Sequence, residues 1–433
     1  KMNFYNLKHK EEQLNFKEAT IKGQGKDKGL FFPEDISKFS NEFLQNLPNL
    51  SNEEIAFQVM KDFAGDEIPE AELRKIVAET IAFEIPLKKV TENISVLELF
   101  HGPTLAFKDV GARFMSRCLG YFLKNETRKV TVLVATSGDT GGAVANGFYD
   151  VEGIEVVILY PKNRVSPVQE KQLTALGKNI HALEVNGSFD DCQALVKQAF
   201  SDESLTEKLL LTSANSINVA RWLPQQIYYV LALKQWLKNN SESPVICVPS
   251  GNFGNICAGI LAHHRGLPVE HFIAACNVND VVPEYLRTEI LQPKETVATI
   301  SNAMDVGDPS NFVRILELFD KEFNQVKNKL SGYTIDDEET LKTIKRVEKD
   351  YGYVLDPHGA VAFVALEKYL TENDGKGFFL ETAHPVKFPD SVEQATGKSV
   401  EIPKSLEELM KQEKFTTEIN PQYEELKEFL LKK

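Results

Sequence analysis

The stretch VTVLVATSGDTG at residues 130–141 has the pattern of a strand, a tight turn and the start of a helix. Its first six residues are apolar or β-branched and uncharged, which is typical of a strand buried on both faces of a parallel sheet. The glycine-rich TSGDTG then leads into small residues that suit a helix. Residues 245–255, VICVPSGNFGN, repeat the strand, the S-G-[D/N]-x-G turn and the helix start. Two copies of one pattern indicate two related α/β halves.

The segments around these two stretches alternate in the same way. We predict strands at 154–160, 180–185, 245–248 and 271–275, and helices at 141–149, 166–176, 190–200, 217–237 and 255–264. Apolar strands that alternate with helices predict parallel sheets covered on both faces, with ligands at the carboxyl ends of the strands. Residues 1–95 and 401–433 instead show charged and apolar residues at helical spacing, and we predict both segments to be mainly helical.

Composition and charge exclude several classes of protein. The 433 residues suffice for about three domains or two large ones. The net charge is −14 and no stretch concentrates Lys and Arg, so no binding to nucleic acid is expected. The apolar runs are far shorter than the ~20 residues of a membrane helix, so no membrane span is expected. Five cysteines without a C-x-x-C pair, and no signal-peptide stretch, predict a cytoplasmic protein with reduced thiols. The histidines lack a metal-ligand spacing, so we predict no metal site.

The two glycine-rich turns are candidate anion sites. Glycine lets consecutive backbone N–H groups turn toward one point, and the helix that follows adds the positive end of its dipole. One such turn is weak evidence, because glycine also serves ordinary strand-to-helix turns. Two copies suggest two anions, or one ligand with two anionic ends. Neither turn matches G-x-x-x-x-G-K-[ST] or G-x-G-x-x-G, which disfavours P-loop nucleotide and dinucleotide sites.

A lysine in an apolar setting is the second chemical signal. Lys108 ends the run FHGPTLAFK, directly after Leu105, Ala106 and Phe107. A lysine removed from water loses its proton more easily and becomes a nucleophilic amine, which a Schiff base requires. Alternatively, Lys108 reaches the surface and pairs with Asp109. Together with two anion sites, however, a reactive amine predicts a pyridoxal phosphate (PLP) enzyme.

A third segment, GFFLETAHP at 377–385, predicts a short apolar strand. The strand ends near Thr382, whose hydroxyl is then expected at the carboxyl edge of the sheet. His384 could act as a base, but a histidine beside a proline at a strand end is more often structural. Thr382 is therefore the better candidate here.

The run SANSINVAR at 213–221 places polar side chains at the start of a predicted helix. Asn218 and Arg221 are three residues apart and share a helix face, and a guanidinium suits a phosphate or carboxylate. We predict that Asn215, Ser216, Asn218 and Arg221 surround the anionic groups of a substrate. The alternative is an ordinary helix capped by Asn215 or Ser216, with Arg221 on a solvated face.

Taken in order, these segments resemble those of the threonine synthase family. The lysine motif HGPTLAFKD and the loop SGNFGN carry the resemblance, and their combination is highly specific. Further matching segments extend it to nearly the whole chain: FYNL at 4–7, GLFFP at 29–33, TSGDTG at 136–141, SANSINVAR at 213–221, SNAMD at 301–305 and TAHP at 382–385.

The resemblance implies an α/β fold with two parallel-sheet domains, the tryptophan-synthase-β-like PLP fold, plus a helical N-terminal region. PLP would lie between a larger and a smaller domain. The implied division is a mainly helical region over 1–95, a larger PLP-binding domain over 96–112 and 222–400, a smaller α/β domain over 113–221 and a helical extension over 401–433.

The resemblance also implies roles for individual residues. Lys108 would carry PLP, and Thr382 would face its pyridine nitrogen. The phosphate would lie against the loop formed by Gly251, Asn252, Phe253, Gly254 and Asn255. The loop formed by Thr136, Ser137, Gly138, Asp139 and Thr140 would hold the substrate carboxylate or flank the phenolic oxygen of PLP. Thr104 would also bind the substrate. Many PLP relatives carry Asn where this chain has Asp139, and an acid beside an anion is unexpected.

The implied activity is the conversion of O-phosphohomoserine and water to L-threonine and phosphate, by γ-elimination followed by β-addition. A neutral hydroxyl at the pyridine nitrogen would disfavour transamination. Two rivals remain open at this point: another PLP lyase of the same fold, such as a serine or threonine dehydratase or a cysteine synthase, and a noncatalytic phosphometabolite-binding protein. The sequence leaves the oligomeric state open between monomer and homodimer.

Overall fold

The computed structural model describes residues 1–432, which form three sheets surrounded by helices. The strands are β1 (Phe4–Asn6), β2 (Gln13–Leu14), β3 (Phe31–Pro33), β4 (Leu87–Lys89), β5 (Ile94–Glu98), β6 (Val130–Ala135), β7 (Ile154–Pro161), β8 (Ile180–Val185), β9 (Leu210–Thr212), β10 (Val245–Pro249), β11 (His271–Cys276), β12 (Leu330–Thr334), β13 (Gly377–Glu381) and β14 (Thr417–Ile419).

The α-helices cover the sheets and fill the N-terminal region. They are α1 (Phe16–Lys22), α2 (Asn41–Asn46), α3 (Asn52–Ala64), α4 (Glu70–Thr80), α5 (Lys108–Phe122), α6 (Asp139–Phe148), α7 (Pro167–Thr174), α8 (Phe189–Ser201), α9 (Glu203–Thr206), α10 (Val219–Trp222), α11 (Gln226–Trp236), α12 (Gly254–His264), α13 (Val281–Thr288), α14 (Phe312–Leu318), α15 (Phe323–Lys329), α16 (Asp337–Tyr351), α17 (Pro357–Glu372), α18 (Pro389–Thr396), α19 (Lys404–Met410) and α20 (Tyr423–Leu431).

The largest sheet has six strands in the order β12-β11-β10-β13-β5-β4, and only the edge strand β4 is antiparallel to its neighbour. Alternate side chains of its strands enter two different cores. Phe378 and Leu380 pack into the core shared with the N-terminal helices, whereas Phe379 packs on the opposite side with α17. The sheet is thus buried on both faces, as the continuous apolar strands predicted.

The second sheet has five parallel strands in the order β14-β8-β7-β6-β9. Its outer face packs against α8 and α20 in a separate apolar cluster. The mixed α/β fold with parallel sheets confirms the predicted fold class.

Three details of local structure could not be predicted from the sequence. The N-terminal region is not only helical, because β1, β2 and β3 form a small antiparallel sheet. The segment 401–433 contains β14, which pairs with β8 of the five-stranded sheet. Its three residues are too few for a periodic pattern to reveal.

The predicted helix 217–237 is interrupted near its start. It begins as α10, continues as a 3-10 turn at Leu223–Gln225 and resumes as α11. Pro224 lies in that turn and has no N–H to donate, so the regular hydrogen-bond ladder cannot pass through it.

The topology brings the chemical motifs to one place. In the large sheet β10, β13 and β5 are neighbours and run in the same direction, so their carboxyl ends meet at one edge. These ends lead to the SGNFGN loop, to Thr382 and to the segment before Lys108. In the other sheet β6 leads to the TSGDTG turn and α6, and α6 packs against α5.

Candidate active site

Two short segments pair at the carboxyl edge of the large sheet and place Thr382 beside Lys108. Phe107 N donates to Thr382 O at 2.8 Å, and His384 N donates to Leu105 O at 2.9 Å. Thr382 follows directly after β13, as predicted, and Lys108 is the first residue of α5. Within residues 1–432 the hydroxyl of the buried Thr382 has no hydrogen-bond partner, so it is available to a ligand.

Lys108 is half-buried, and its ammonium group is destabilised. Burial lowers the pKa of Lys108 to about 8; Asp139 opposes this shift, whereas Arg221 and Lys387 add to it. The alternative in which Asp109 pairs with Lys108 at the surface is wrong. Asp109 is buried and accepts hydrogen bonds from other groups. The amine of Lys108 therefore remains free of a fixed partner among the described residues.

Asp109 instead closes the turn before Lys108. Its carboxylate accepts from Thr104 N at 2.9 Å and from Thr104 Oγ1 at 2.6 Å. A side chain at Gly102 would collide with this carboxylate, because a Cβ there would lie 2.6 Å from Asp109 Oδ2. The hydroxyl of Thr104 thus shapes the turn, and its role in substrate binding stays a prediction.

The loop between β10 and α12 forms a cradle of N–H groups. In the described chain, the backbone N–H groups of Gly251, Asn252, Phe253, Gly254 and Asn255 have no hydrogen-bond acceptor. Phe253 adopts a left-handed conformation with φ of 67°, which turns the chain into α12. Five unpaired donors at a helix N-terminus fit a phosphate group.

Side chains hold this cradle from outside. Asn252 donates to the hydroxyl of Ser216 and accepts from Ser310 N at 2.8 Å, while Asn255 donates to Pro249 O at 3.0 Å. Gly251 leaves no space for a side chain, because a Cβ would lie 2.5 Å from Ala303 O. Backbone N–H groups, rather than the side chains of Asn252 and Asn255, therefore line the cradle.

The first glycine-rich turn is closed by its own threonine. Thr136 Oγ1 accepts from Gly138 N and Gly141 N, both at 2.9 Å. Gly138 has φ of 142°, which favours glycine. Of the predicted substrate residues here, Thr136 thus supports the turn, whereas Ser137 and Thr140 remain exposed or half-buried.

Asp139 has a partner that was not predicted from the sequence. Lys387 Nζ lies 2.6 Å from Asp139 Oδ1, and both side chains are buried. Gln169 Nε2 donates to the same oxygen at 3.2 Å. Although burial opposes it, the attraction of Lys387 and Lys108 lowers the pKa of Asp139, so the carboxylate is ionised. The only sequence feature that could have indicated this pair was Lys387 itself, a lysine three residues after His384 in an otherwise apolar turn.

The segment 213–221 contributes one buried cation. Arg221 is 2% exposed, so the alternative of a solvated face is wrong. Its Nη1 donates to Ala214 O, and its Nε is buried without a partner in residues 1–432. Burial lowers the pKa of Arg221 to about 10, and the group stays charged at neutral pH.

The polar residues around Arg221 stabilise either the start of α10 or the N–H cradle. Asn218 caps α10 by accepting from Ala220 N at 2.9 Å and donates to Thr20 O at 2.9 Å. Both ends of its carboxamide are engaged by the protein, and its role in substrate binding stays a prediction. Ser216 supports the cradle through Asn252, and Asn215 accepts from Ile217 N at 3.3 Å.

His384 has a structural role. Its Nδ1 accepts from Val386 N at 3.0 Å and caps the turn that carries Lys387. Burial lowers the pKa of His384 to about 4, so the ring is neutral at neutral pH.

The geometry fits PLP, because a cradle for a phosphate, an amine of lowered pKa and a free hydroxyl meet at one edge of the large sheet.

Comparison with known proteins agrees with this assignment. Residues 81–377 match the family model described as pyridoxal-phosphate dependent enzyme, residues 3–81 match that of the threonine synthase N terminus, and residues 359–430 match that of the threonine synthase C-terminal part. The chain is 46% identical to threonine synthase of Haemophilus influenzae over 431 residues, covering 100% of both chains.

The chain belongs to the threonine synthase family. Its PLP dependence, predicted from Lys108 and the two anion turns, is thereby confirmed. It is 47% identical to threonine synthase of Escherichia coli over 408 residues, covering 94% of both chains.

Solved threonine synthase structures share the whole architecture. The structure from Escherichia coli superposes with a TM-score of 0.92 at 44% identity, and the PLP-bound structure from Brucella melitensis with 0.93 at 35% identity, each covering 99% of both chains.

Proposed function

We propose that the chain converts O-phosphohomoserine and water to L-threonine and phosphate, as a lyase acting on phosphate in the last step of threonine biosynthesis. The observation that supports this most directly is the meeting of Lys108, the N–H cradle at 251–255 and Thr382 in a chain of the threonine synthase family. The buried guanidinium of Arg221 adds a cation for an anionic substrate.

The proposed roles follow from the chemistry of each group. The N–H groups at 251–255 would hold the PLP phosphate, Lys108 would anchor the cofactor, and the hydroxyl of Thr382 would face the ring nitrogen. When bound, PLP supplies an electron sink for the negative charge that develops beside the amino group of the substrate.

Proton transfer is assigned to Lys108. An amine with a pKa of about 8 is partly unprotonated at neutral pH, so it can take a proton from the substrate and return it at another carbon. Burial of the surrounding groups keeps water away from this transfer. Arg221 has an unpaired Nε that can donate to a carboxylate or phosphate of the substrate.

We also propose a cytoplasmic protein. The five cysteines Cys118, Cys192, Cys247, Cys257 and Cys276 are buried and free, which suits a reducing compartment. Among residues 1–432 no helix has the length and apolar character to cross a bilayer.

The test is to incubate the purified chain and PLP with O-phosphohomoserine and to measure threonine and inorganic phosphate. We expect both products in equal amounts, and neither with Lys108→Ala. Ammonia and a keto acid formed from serine or threonine, without phosphate release, would instead favour a dehydratase. Absence of both a borohydride-sensitive chromophore and products would favour a noncatalytic binding protein.

A further inference from the structure

A buried ion pair joins the two sheets beside Lys108. Lys387 Nζ lies 2.6 Å from Asp139 Oδ1 and donates to Thr104 O at 2.8 Å. The side chain of Lys387 is 0% exposed and that of Asp139 is 8% exposed. Asp139 follows β6 of the five-stranded sheet, whereas Lys387 lies in the turn after β13 of the six-stranded sheet. The pair therefore fixes the position of one sheet edge against the other.

Three charged side chains from three elements act on the amine of Lys108. They are Asp139 at the start of α6, Arg221 in α10 and Lys387 after β13. The two cations favour the neutral amine, whereas the carboxylate favours the ammonium ion. Asp109, on the same helix as Lys108, is engaged by Thr104. Asp139 is thus the carboxylate that favours the ammonium form of Lys108, and Lys387 offsets its charge.

We propose that Lys387 is a positioning residue that neutralises Asp139 and thereby favours the neutral form of the Lys108 amine. Without Lys387, the buried carboxylate of Asp139 would draw a proton onto Lys108, because a buried charge requires a partner. The inference rests on the proposed role of Lys108 as the residue that binds PLP.

The experiment measures how fast PLP attaches to the full-length chain from about pH 6 to pH 10, by the growth of visible absorbance. Only the neutral amine reacts, so the midpoint of the rate against pH reports the protonation of Lys108. We expect a midpoint near pH 8 for the wild-type chain. Lys387→Met removes the cation but keeps an unbranched side chain. Its midpoint should rise by about one pH unit, with attachment at pH 7 slowed about tenfold.

Two matched variants separate charge from structure. Asp139→Asn leaves Lys387 and Arg221 unopposed, so its midpoint should fall below that of the wild type. The double variant Asp139→Asn with Lys387→Met removes both charges and should return the midpoint to within about half a pH unit of the wild type. A purely structural role would lower the thermal stability of each variant and leave every midpoint in place.

A wild-type midpoint in folded Lys387→Met would overturn the inference. If Lys387→Met does not fold, Asp139→Asn decides, and an unshifted midpoint there overturns it equally. Lys108→Ala serves as the separate control. Attachment of PLP that persists in Lys108→Ala would refute the proposed function itself, whereas loss of attachment there with unshifted midpoints in the other variants would refute only the inference.

Discussion

Replacing Gly251 by alanine should weaken the hold on the PLP phosphate while the chain stays folded. A Cβ at this position would lie 2.5 Å from Ala303 O and 2.9 Å from Met304 Cα. Both are backbone atoms, so they cannot turn aside, and the loop must move by about 0.5–1 Å to restore normal contact. Such overpacking costs about 1–3 kcal/mol.

The movement would displace the N–H groups that face the phosphate. Since 1.4 kcal/mol corresponds to a tenfold change in affinity, we expect the dissociation constant of PLP to rise about fivefold to 150-fold. Gly254→Ala is the matched control, because its Cβ would come no closer than 3.2 Å, to the side-chain amide of Asn311, and would meet the backbone oxygen of Ser216 at an ordinary contact distance of 3.7 Å. We expect a smaller loss for this variant.

The assay is an equilibrium titration of each variant with PLP, followed by absorbance, with thermal unfolding in the absence of PLP as a test of the fold. Equal affinity of Gly251→Ala and Gly254→Ala for PLP would refute the reasoning. It would show that the phosphate is not held by the backbone of this loop.

Three further predictions address other groups of the site. Thr382→Asp should shift the absorbance of the bound cofactor and raise transamination, because a carboxylate favours a protonated ring nitrogen; an unchanged spectrum and product ratio in a folded variant would remove Thr382 from contact with PLP. Arg221→Lys should raise KM for O-phosphohomoserine with PLP still bound, since an ammonium lacks the planar fork of the guanidinium; wild-type kinetics would place the substrate anion elsewhere. The free energy of unfolding of the Glu381→Gln variant should increase relative to that of the wild type as the pH rises from about 5. Burial raises the pKa of the Glu381 carboxyl and Asp356 adds to the shift, so the folded chain keeps a proton that the unfolded chain loses. Denaturant unfolding of both chains across pH tests this, and a pH-independent difference would contradict it.

The parts of the site that lie within one short stretch could be predicted from the sequence. The SGNFGN loop and the lysine motif each have a local signature, namely a strand that ends in glycines and an amine among apolar residues. Thr382 was placed correctly because it follows an apolar strand, and strands of a parallel sheet end at a common edge.

The parts that depend on distant contacts could not be predicted. Asp139 looked unsuited to an anion site because its partner, Lys387, lies far along the chain, after β13, and is an ordinary lysine by sequence. Asn218 and Thr104 looked like binding residues, since an amide or a hydroxyl has the same appearance in a sequence whether it contacts a ligand or the backbone. The hydrogen bonds of these side chains to Thr20 and Asp109 are therefore found only in the structure.

The strand order of the large sheet has a consequence for the synthesis of the chain. β5 is among the first strands to leave the ribosome, yet its parallel neighbour β13 is the last strand of that sheet to be made. Until β13 inserts between β5 and β10, the growing chain has two unjoined pieces of sheet with open edges, which are prone to wrong pairing. The same insertion brings Thr382 to Lys108. A nascent chain therefore completes the large sheet and this part of the candidate site in one late step.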